Sequence, residues 1–195
     1  YTDHVSQAII ELTRASRGRA LVLFTSHAML RAVKEIVAGP LRDDGIEALA
    51  QSVDGSPRQL VRALMSNPQT VLLGTSSFWE GVDIPGDALS LIVIARLPFA
   101  VPTDPVYAAR AAMYDDAFNQ YALPQAVIRF KQGFGRLIRT KTDRGVLVVL
   151  DQRIVGKDYG RAFLQSLPPA GIRQVSVRQM PDLVESWLAS PMAAR

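Results

Sequence analysis

The sequence predicts an open, mostly parallel α/β sheet with helices on both faces. Short runs rich in Val, Ile and Leu are continuously apolar rather than alternating, which is typical of strands covered on both faces. These runs span residues 20–25, 46–51, 70–75, 89–97, 145–151 and 173–178. The segments between them are long enough for helices, which we expect at about residues 3–16, 27–38, 57–66, 105–120, 124–141, 158–166 and 181–189.

Ligands of such sheets collect at the carboxyl ends of the strands. The loops that begin at Thr25, Gly74, Pro98 and Asp151 are therefore the first places to look for a site. We give priority to polar side chains in these loops.

Length and composition fit one domain over residues 1–195, because 48% of the residues are hydrophobic and 21% are charged. The last residues, 190–195, are expected to fray. No apolar run approaches the roughly 18 to 20 residues of a membrane span, and the first residues do not resemble a signal peptide. We expect a cytoplasmic protein without membrane contact.

Residue counts restrict the metal chemistry and suggest an anionic partner. The chain has no cysteine, which excludes disulfides, thiolate zinc sites and a cysteine-ligated iron–sulfur cluster in this segment, and its two histidines are far apart. No metal site is expected. Residues 1–124 carry a net charge of −3 and residues 125–195 a net charge of +7. A basic half of this kind indicates nucleic acid or nucleotide, with a solvated surface as the alternative.

A phosphate-binding P-loop is missing from the sequence. The Gly156–Lys157 pair is followed by Asp158 instead of Ser or Thr, and Asp151 stands where the first glycine should be. We therefore expect that the chain does not cradle a triphosphate alone.

The stretch "QGFGRLIR", residues 132–139, has helical periodicity although it contains two glycines, each of which costs about 1 kcal/mol relative to alanine. At about 100° per residue its neighbourhood divides into two sides. The apolar side holds Phe130, Phe134, Leu137 and Ile138, and the polar side holds Gln132, Gly135, Arg136 and Arg139. A solvated basic helix face is the alternative explanation of the two arginines.

This stretch has the pattern Gln-x-x-Gly-Arg-x-x-Arg and resembles motif VI of the second RecA-like domain of superfamily 2 helicases, in the DinG/XPD-like branch. "LVLFTSHAML" (21–30) resembles motif IV, and the segment 72–105, with "WEGVDIPG", resembles motif V. Residues 144–168 are also similar to that branch. The resemblance covers roughly residues 20–168 and implies a RecA-like fold.

The resemblance implies that ATP with Mg²⁺ is held mainly by a first RecA-like domain that is absent from this sequence. Arg139 is then the arginine finger, Arg136 contacts a phosphate or the other domain, and Gln132 orients water or phosphate. Gly135 allows close approach. The loop with Glu80, Gly81 and Asp83 is placed at the ATP cleft, with a plain turn or helix cap as the alternative for Asp83.

Six residues at two strand ends are candidates for contact with single-stranded DNA: Thr25, Ser26, His27, Thr75, Ser76 and Trp79. Hydroxyl and backbone N–H groups bind phosphates without reading bases. Local capping of the following helices is the alternative for the hydroxyl residues, and a core position is the alternative for the tryptophan.

The resulting hypothesis is the second motor domain of a DinG-like ATP-dependent DNA helicase, a monomer that is inactive as an ATPase alone. Its partners are single-stranded DNA and the N-terminal RecA-like domain of the same polypeptide. The resemblance allows an iron–sulfur cluster in the missing part. Two alternatives remain: a nucleic-acid-binding module without a nucleotide role, and the motor part of a helicase-like nuclease.

Overall fold

The structure is a computed structural model that describes residues 1–80, 84, 88–138 and 143–190, with the backbone alone for Glu80. In this part of the chain five parallel strands form one sheet in the order β2-β3-β1-β4-β5. The strands are β1 (Ala20–Leu23), β2 (Glu47–Ala50), β3 (Thr70–Gly74), β4 (Leu91–Ile94) and β5 (Val146–Val149). The predicted fold class, an open parallel α/β sheet, is confirmed.

Nine α-helices connect or flank these strands within the described residues. They are α1 (Thr2–Ser16), α2 (His27–Asp43), α3 (Pro57–Ser66), α4 (Ser76–Glu80), α5 (Pro105–Ala111), α6 (Leu123–Phe134), α7 (Arg153–Gly156), α8 (Gly160–Gln165) and α9 (Met180–Ala189). A π-helical turn (Phe118–Ala122) precedes α6, and a 3-10 turn (Val177–Gln179) precedes α9. None of the described helices is long and apolar enough to cross a membrane.

Each strand contributes alternate side chains to two separate apolar clusters, one on each face of the sheet. In β1, Ala20 and Val22 face the cluster formed with α1, α2 and α9, whereas Leu21 and Leu23 face the cluster formed with α3, α4, α6 and α8. Burial on both faces explains why β1, β4 and β5 are apolar at every position, whereas β2 at the sheet edge begins with exposed Glu47.

The free edge of β2 is closed by an ion pair instead of another strand. The ammonium of Lys34 donates to the carbonyl oxygen of Ala48 and lies 2.8 Å from a carboxylate oxygen of Asp54. The same oxygen of Asp54 accepts a hydrogen bond from the backbone N–H of Ala50 at 2.7 Å. The outward-facing carbonyl of Ala48 and N–H of Ala50 therefore already have hydrogen-bond partners, which disfavours pairing of β2 with a strand of another chain.

The predicted strand at residues 173–178 is wrong. Residues 171–176 have no regular structure and residues 177–179 form the 3-10 turn, with Val177 49% exposed. The backbone N–H and the hydroxyl of Ser176 bind the side-chain oxygen of Gln179 at 3.2 and 2.9 Å. This capping interaction starts a helix, and it prevails over the β-branched character of the valines.

Three predicted helices have different bounds. The helix expected at 27–38 continues to Asp43. The expected helix at 105–120 ends at Ala111, and the chain re-enters helix at residue 118, where Asp116 accepts a hydrogen bond from the N–H of Asn119 at 3.0 Å. The helix expected at 124–141 ends at Phe134 and continues as a turn through Leu137. Residues 139–142 lie outside the described residues, as does the predicted frayed tail apart from Ser190.

Candidate functional site

Polar residues follow three neighbouring strands at one edge of the sheet. Thr25 comes two residues after β1, Gln51 comes directly after β2, and Thr75 comes directly after β3. All strands are parallel, so these residues lie together at the carboxyl ends of the strands, a region called the strand-end surface below. This edge carries the predicted DNA-binding residues.

Ser26 is the N-cap of α2, since its hydroxyl oxygen accepts a hydrogen bond from the N–H of Met29 at 3.2 Å. The local capping weighed as an alternative is therefore present. Ser26, His27 and Ser76 are exposed, and Thr25 is half-buried. These four residues form the accessible part of the predicted set.

Thr75 is 3% exposed, so its side chain lies inside the domain, and its contact with DNA stays a prediction. Its hydroxyl lies 3.1 Å from the side-chain oxygen of Gln51 and 3.1 Å from Nε2 of His27. The side-chain nitrogen of Gln51 donates to the hydroxyl of Ser77 at 3.2 Å. These hydrogen bonds tie together the ends of β1, β2 and β3. Sequence reasoning missed Gln51, because one glutamine after a strand matches no motif.

Trp79 is a core residue, the alternative weighed for it above, and its contact with DNA stays a prediction. It is 3% exposed, and its Nε1 donates a hydrogen bond to the carbonyl oxygen of Phe24 at 3.2 Å. The Trp79 ring also packs against Gly133 in α6. A Cβ atom added at Gly133 would lie 2.9 Å from carbons of that ring. The glycine therefore lets α6 approach the indole closely.

Gly135 has no corresponding contact among the described residues. It is exposed, its backbone is in the ordinary right-handed region with φ −61°, and a Cβ there would lie 3.4 Å from the nearest atom, the carbonyl oxygen of Gln132. The close approach expected at Gly135 concerns the nucleotide and stays a prediction, whereas Gly133 makes a close contact within the domain.

The two sides predicted for residues 130–138 are largely as expected, although the helix stops early. Phe130 and Leu137 are fully buried, and Gln132 and Gly135 are exposed. Arg136 lies in the turn after α6, and its Nη2 is 3.5 Å from the carbonyl oxygen of Trp79. This turn therefore lies against the end of α4.

Four predicted nucleotide-site residues lie wholly or partly outside the described part of the chain. Gly81, Asp83 and Arg139 lie outside the described residues, and so does the side chain of Glu80. Among the residues that are described, no group of three His, Asp or Glu side chains is placed to hold a metal.

A buried carboxylate fixes the loops that follow β4 and β5. Asp151 is 8% exposed, and one of its oxygens accepts hydrogen bonds from the N–H of Leu97 at 2.9 Å and from Nη2 of Arg153 at 2.6 Å. Burial raises the pKa of Asp151, but the hydrogen bonds from Arg153 and Leu97 outweigh burial and leave the pKa below its usual value. The sequence showed only that a loop begins at Asp151.

Two clefts of the described part of the chain lie away from the strand ends. One described cleft, of about 390 Å³, lies along the edge of β2, and another, of about 440 Å³, lies between α1 and α9. Neither is lined by the predicted site residues.

The fold and the arrangement of segments define a RecA-like domain of the helicase type. Residues 9–170 match the family described as "Helicase C-terminal domain". The chain therefore belongs to this family, in its DinG/XPD-like branch.

Relatives and a solved structure agree with this assignment. The chain is 40% identical over 170 residues to the "3'-5' exonuclease DinG" of Bacillus subtilis, covering 85% of this chain and 18% of that protein. It is 46% identical over 165 residues to the "ATP-dependent DNA helicase YoaA" of Escherichia coli, covering 82% and 25%. A solved XPD helicase is similar in fold, with a TM-score of 0.62 and 22% identity over 85% of this chain and 30% of the other. The chain thus spans about a fifth to a quarter of the length of these two curated relatives.

Gly133→Ala should destabilise the fold by about 1 to 3 kcal/mol, because the added methyl group overpacks the contact with Trp79. The gain in helix propensity, about 1 kcal/mol, offsets part of this cost. Gly135→Ala is the matched control, since among the described residues its methyl group would lie no closer than 3.4 Å to another atom, an ordinary contact distance. Urea unfolding of both variants measures the difference, and equal stability of the two would contradict the packing role of Gly133.

Asp151→Asn should lower the free energy of unfolding by about 1 to 3 kcal/mol at neutral pH by weakening the bonds to Arg153 and Leu97. The folded pKa of Asp151 is lowered, so its stabilisation is present above the ordinary value near 3.8 and is lost as pH falls through the folded pKa. The difference between wild type and variant should therefore shrink below about pH 4. Urea unfolding across pH tests this, and a difference that is constant down to pH 2 would refute it.

Proposed function

We propose that this chain is the second motor domain of an ATP-dependent DNA helicase. It would supply arginines to ATP held mainly by a first RecA-like domain of the same polypeptide, and it would grip single-stranded DNA. The supporting observation is the contact of all three motif-like segments at Trp79. This residue donates to Phe24, packs on Gly133 and lies beside Arg136, so segments 21–30, 72–105 and 132–139 meet at one point.

The arginines suit the chemistry of phosphoryl transfer. Negative charge on the transferred phosphoryl group must be stabilised as its bond to the leaving group loosens, and a guanidinium donates several fixed hydrogen bonds without losing its charge. Arg139 takes the role of the finger in this proposal, and Arg136 contacts a phosphate or the partner domain. Gln132, which is exposed on α6, orients water or phosphate in this proposal.

The loop with Gly81 and Asp83, together with Glu80 and Gly135, borders the same ATP cleft in this proposal. Mg²⁺ bound with the ATP would neutralise phosphate charge. The chain lacks a P-loop and so depends on the first domain for ATP binding, which makes it inactive as an ATPase alone. An iron–sulfur cluster, if the polypeptide has one, is bound by residues outside this cysteine-free sequence.

Single-stranded DNA is proposed to cross the strand-end surface. Thr25, Ser26, His27 and Ser76 are the accessible predicted residues there, and hydroxyl and backbone N–H groups of this kind hold phosphates without sequence preference. ATP binding would close the cleft between the two motor domains and hydrolysis would reopen it. Alternating grip by the domains then moves the strand.

A second candidate is the motor part of a helicase-like nuclease. The name of the Bacillus subtilis relative, an exonuclease, favours it. The role of this chain is the same in both candidates, because nuclease chemistry would reside in another part of the polypeptide.

Arg139→Ala in the full-length protein should reduce DNA-stimulated ATPase activity by roughly 10³- to 10⁵-fold, the range for arginine fingers in related phosphoryl-transfer systems. Affinity for single-stranded DNA should stay nearly unchanged, because the arginine faces the nucleotide. Steady-state ATPase assays and fluorescence anisotropy with an oligonucleotide measure the two quantities.

Arg161→Ala provides the matched control, since Arg161 is an exposed arginine in α8 outside the three motif-like segments. It should retain ATPase activity. If Arg139→Ala kept its ATPase activity but lost DNA affinity, the arginine would bind DNA phosphates and the proposed nucleotide role would be wrong. That result would favour a nucleic-acid-binding module without a nucleotide role.

A further inference from the structure

The side chain of Gln51 has a defined orientation, because one of its partners is a backbone amide. The N–H of Thr75 is able only to donate, and it lies 2.8 Å from the side-chain oxygen of Gln51. The oxygen of the Gln51 amide must therefore face Thr75. Its nitrogen then faces Ser77, to whose hydroxyl it donates at 3.2 Å.

This orientation determines the direction of the Thr75 hydroxyl. The hydroxyl oxygen lies 3.1 Å from the same oxygen of Gln51, which only accepts hydrogen bonds. The hydrogen of the Thr75 hydroxyl consequently points toward Gln51. Gln51 is 6% exposed and Thr75 is 3% exposed, so exchange with water does not replace these bonds easily.

The direction of the hydroxyl in turn determines which nitrogen of His27 carries hydrogen. Nε2 of His27 lies 3.1 Å from the Thr75 oxygen, whose single hydrogen is already used. A hydrogen bond at this distance requires a hydrogen on Nε2, because an unprotonated Nε2 would leave two acceptors facing each other. His27 is exposed, and Nδ1 has no hydrogen-bond partner within the described ranges.

We infer that Gln51 is a positioning residue for His27 and acts through Thr75. The side chains of Gln51 and Thr75 hold the imidazole of His27 as the Nε2–H tautomer. Its Nδ1 then faces the strand-end surface. In the neutral ring Nδ1 accepts hydrogen bonds, so His27 offers an acceptor at the end of β1, which fits an N–H group of a base and not a phosphate oxygen. That the ligand is single-stranded DNA rests on the proposed function, whereas the tautomer rests on the hydrogen bonds alone.

Long-range ¹H–¹⁵N correlation spectra of the 195-residue chain test this inference directly. At a pH where His27 is neutral, its Nδ1 should give the downfield resonance of an unprotonated nitrogen and its Nε2 that of a protonated one. His4, exposed on α1, is the other histidine of the sequence and provides an internal reference. A His27 pattern equal to that of His4, or the opposite tautomer, would overturn the inference, and the wild-type spectrum alone decides this.

Two substitutions should release the tautomer. Thr75→Val removes the hydroxyl with little change in volume, and Gln51→Leu removes the acceptor, so in both variants the His27 resonances should move toward those of His4. Thr75→Ser retains a hydroxyl and should keep the wild-type pattern. Backbone amide spectra establish that each variant is folded, and unchanged His27 resonances in folded Thr75→Val would contradict the role of the cluster.

DNA binding by the full-length protein separates the positioning role from the proposed ligand. Thr75→Val should weaken binding of a single-stranded oligonucleotide about three- to tenfold, the effect of one hydrogen bond, and Thr75→Ser should restore it. If His27→Ala bound DNA as tightly as wild type while the locked tautomer was observed, the positioning of His27 would stand and its proposed contact with DNA would fall.

Discussion

The contact of Trp79 with three segments of the chain is the interaction on which the rest of the arrangement depends. Its indole nitrogen is hydrogen bonded to the end of β1 through Phe24, and its ring lies against α6 at Gly133. Its own carbonyl oxygen lies 3.5 Å from Arg136. A buried indole with a satisfied N–H combines a large apolar contact with one directional bond, and therefore fixes both the distance and the angle between these elements.

This contact connects two surfaces with different proposed ligands. On one side lies the strand-end surface with Ser26, His27 and the cluster around Gln51, and on the other lies the turn after α6 with Arg136. Both are attached to rigid elements that pack on a sheet buried on each face. A change in position at one surface is therefore expected to shift the other. The proposed motor function requires such coupling, because it alternates its grip on DNA with its nucleotide state.

Much of the fold was predictable because strands buried on both faces are apolar at every position, as in β1 and β4. The prediction failed where a local capping bond was stronger than strand propensity, as at Ser176 and Gln179. The motif-like segments contact one another as parts of one region, but the sequence does not show which way a side chain points. Trp79 and Thr75 are buried, and Gly133 makes a close contact with the Trp79 ring that no sequence pattern indicated. No sequence motif indicated a role for Gln51, because its role arises only where the ends of three strands lie side by side.

The most direct test of this account is the coupling between nucleotide and DNA binding in the full-length protein with Trp79→Phe. The substitution keeps an aromatic ring against Gly133 and removes the hydrogen bond to Phe24. Affinity for single-stranded DNA is measured with and without a non-hydrolysable ATP analogue, in wild type and variant. The account predicts that the analogue changes the DNA affinity of the wild type and that this change is reduced in the folded variant. Equal coupling in the two proteins would contradict the role assigned to Trp79.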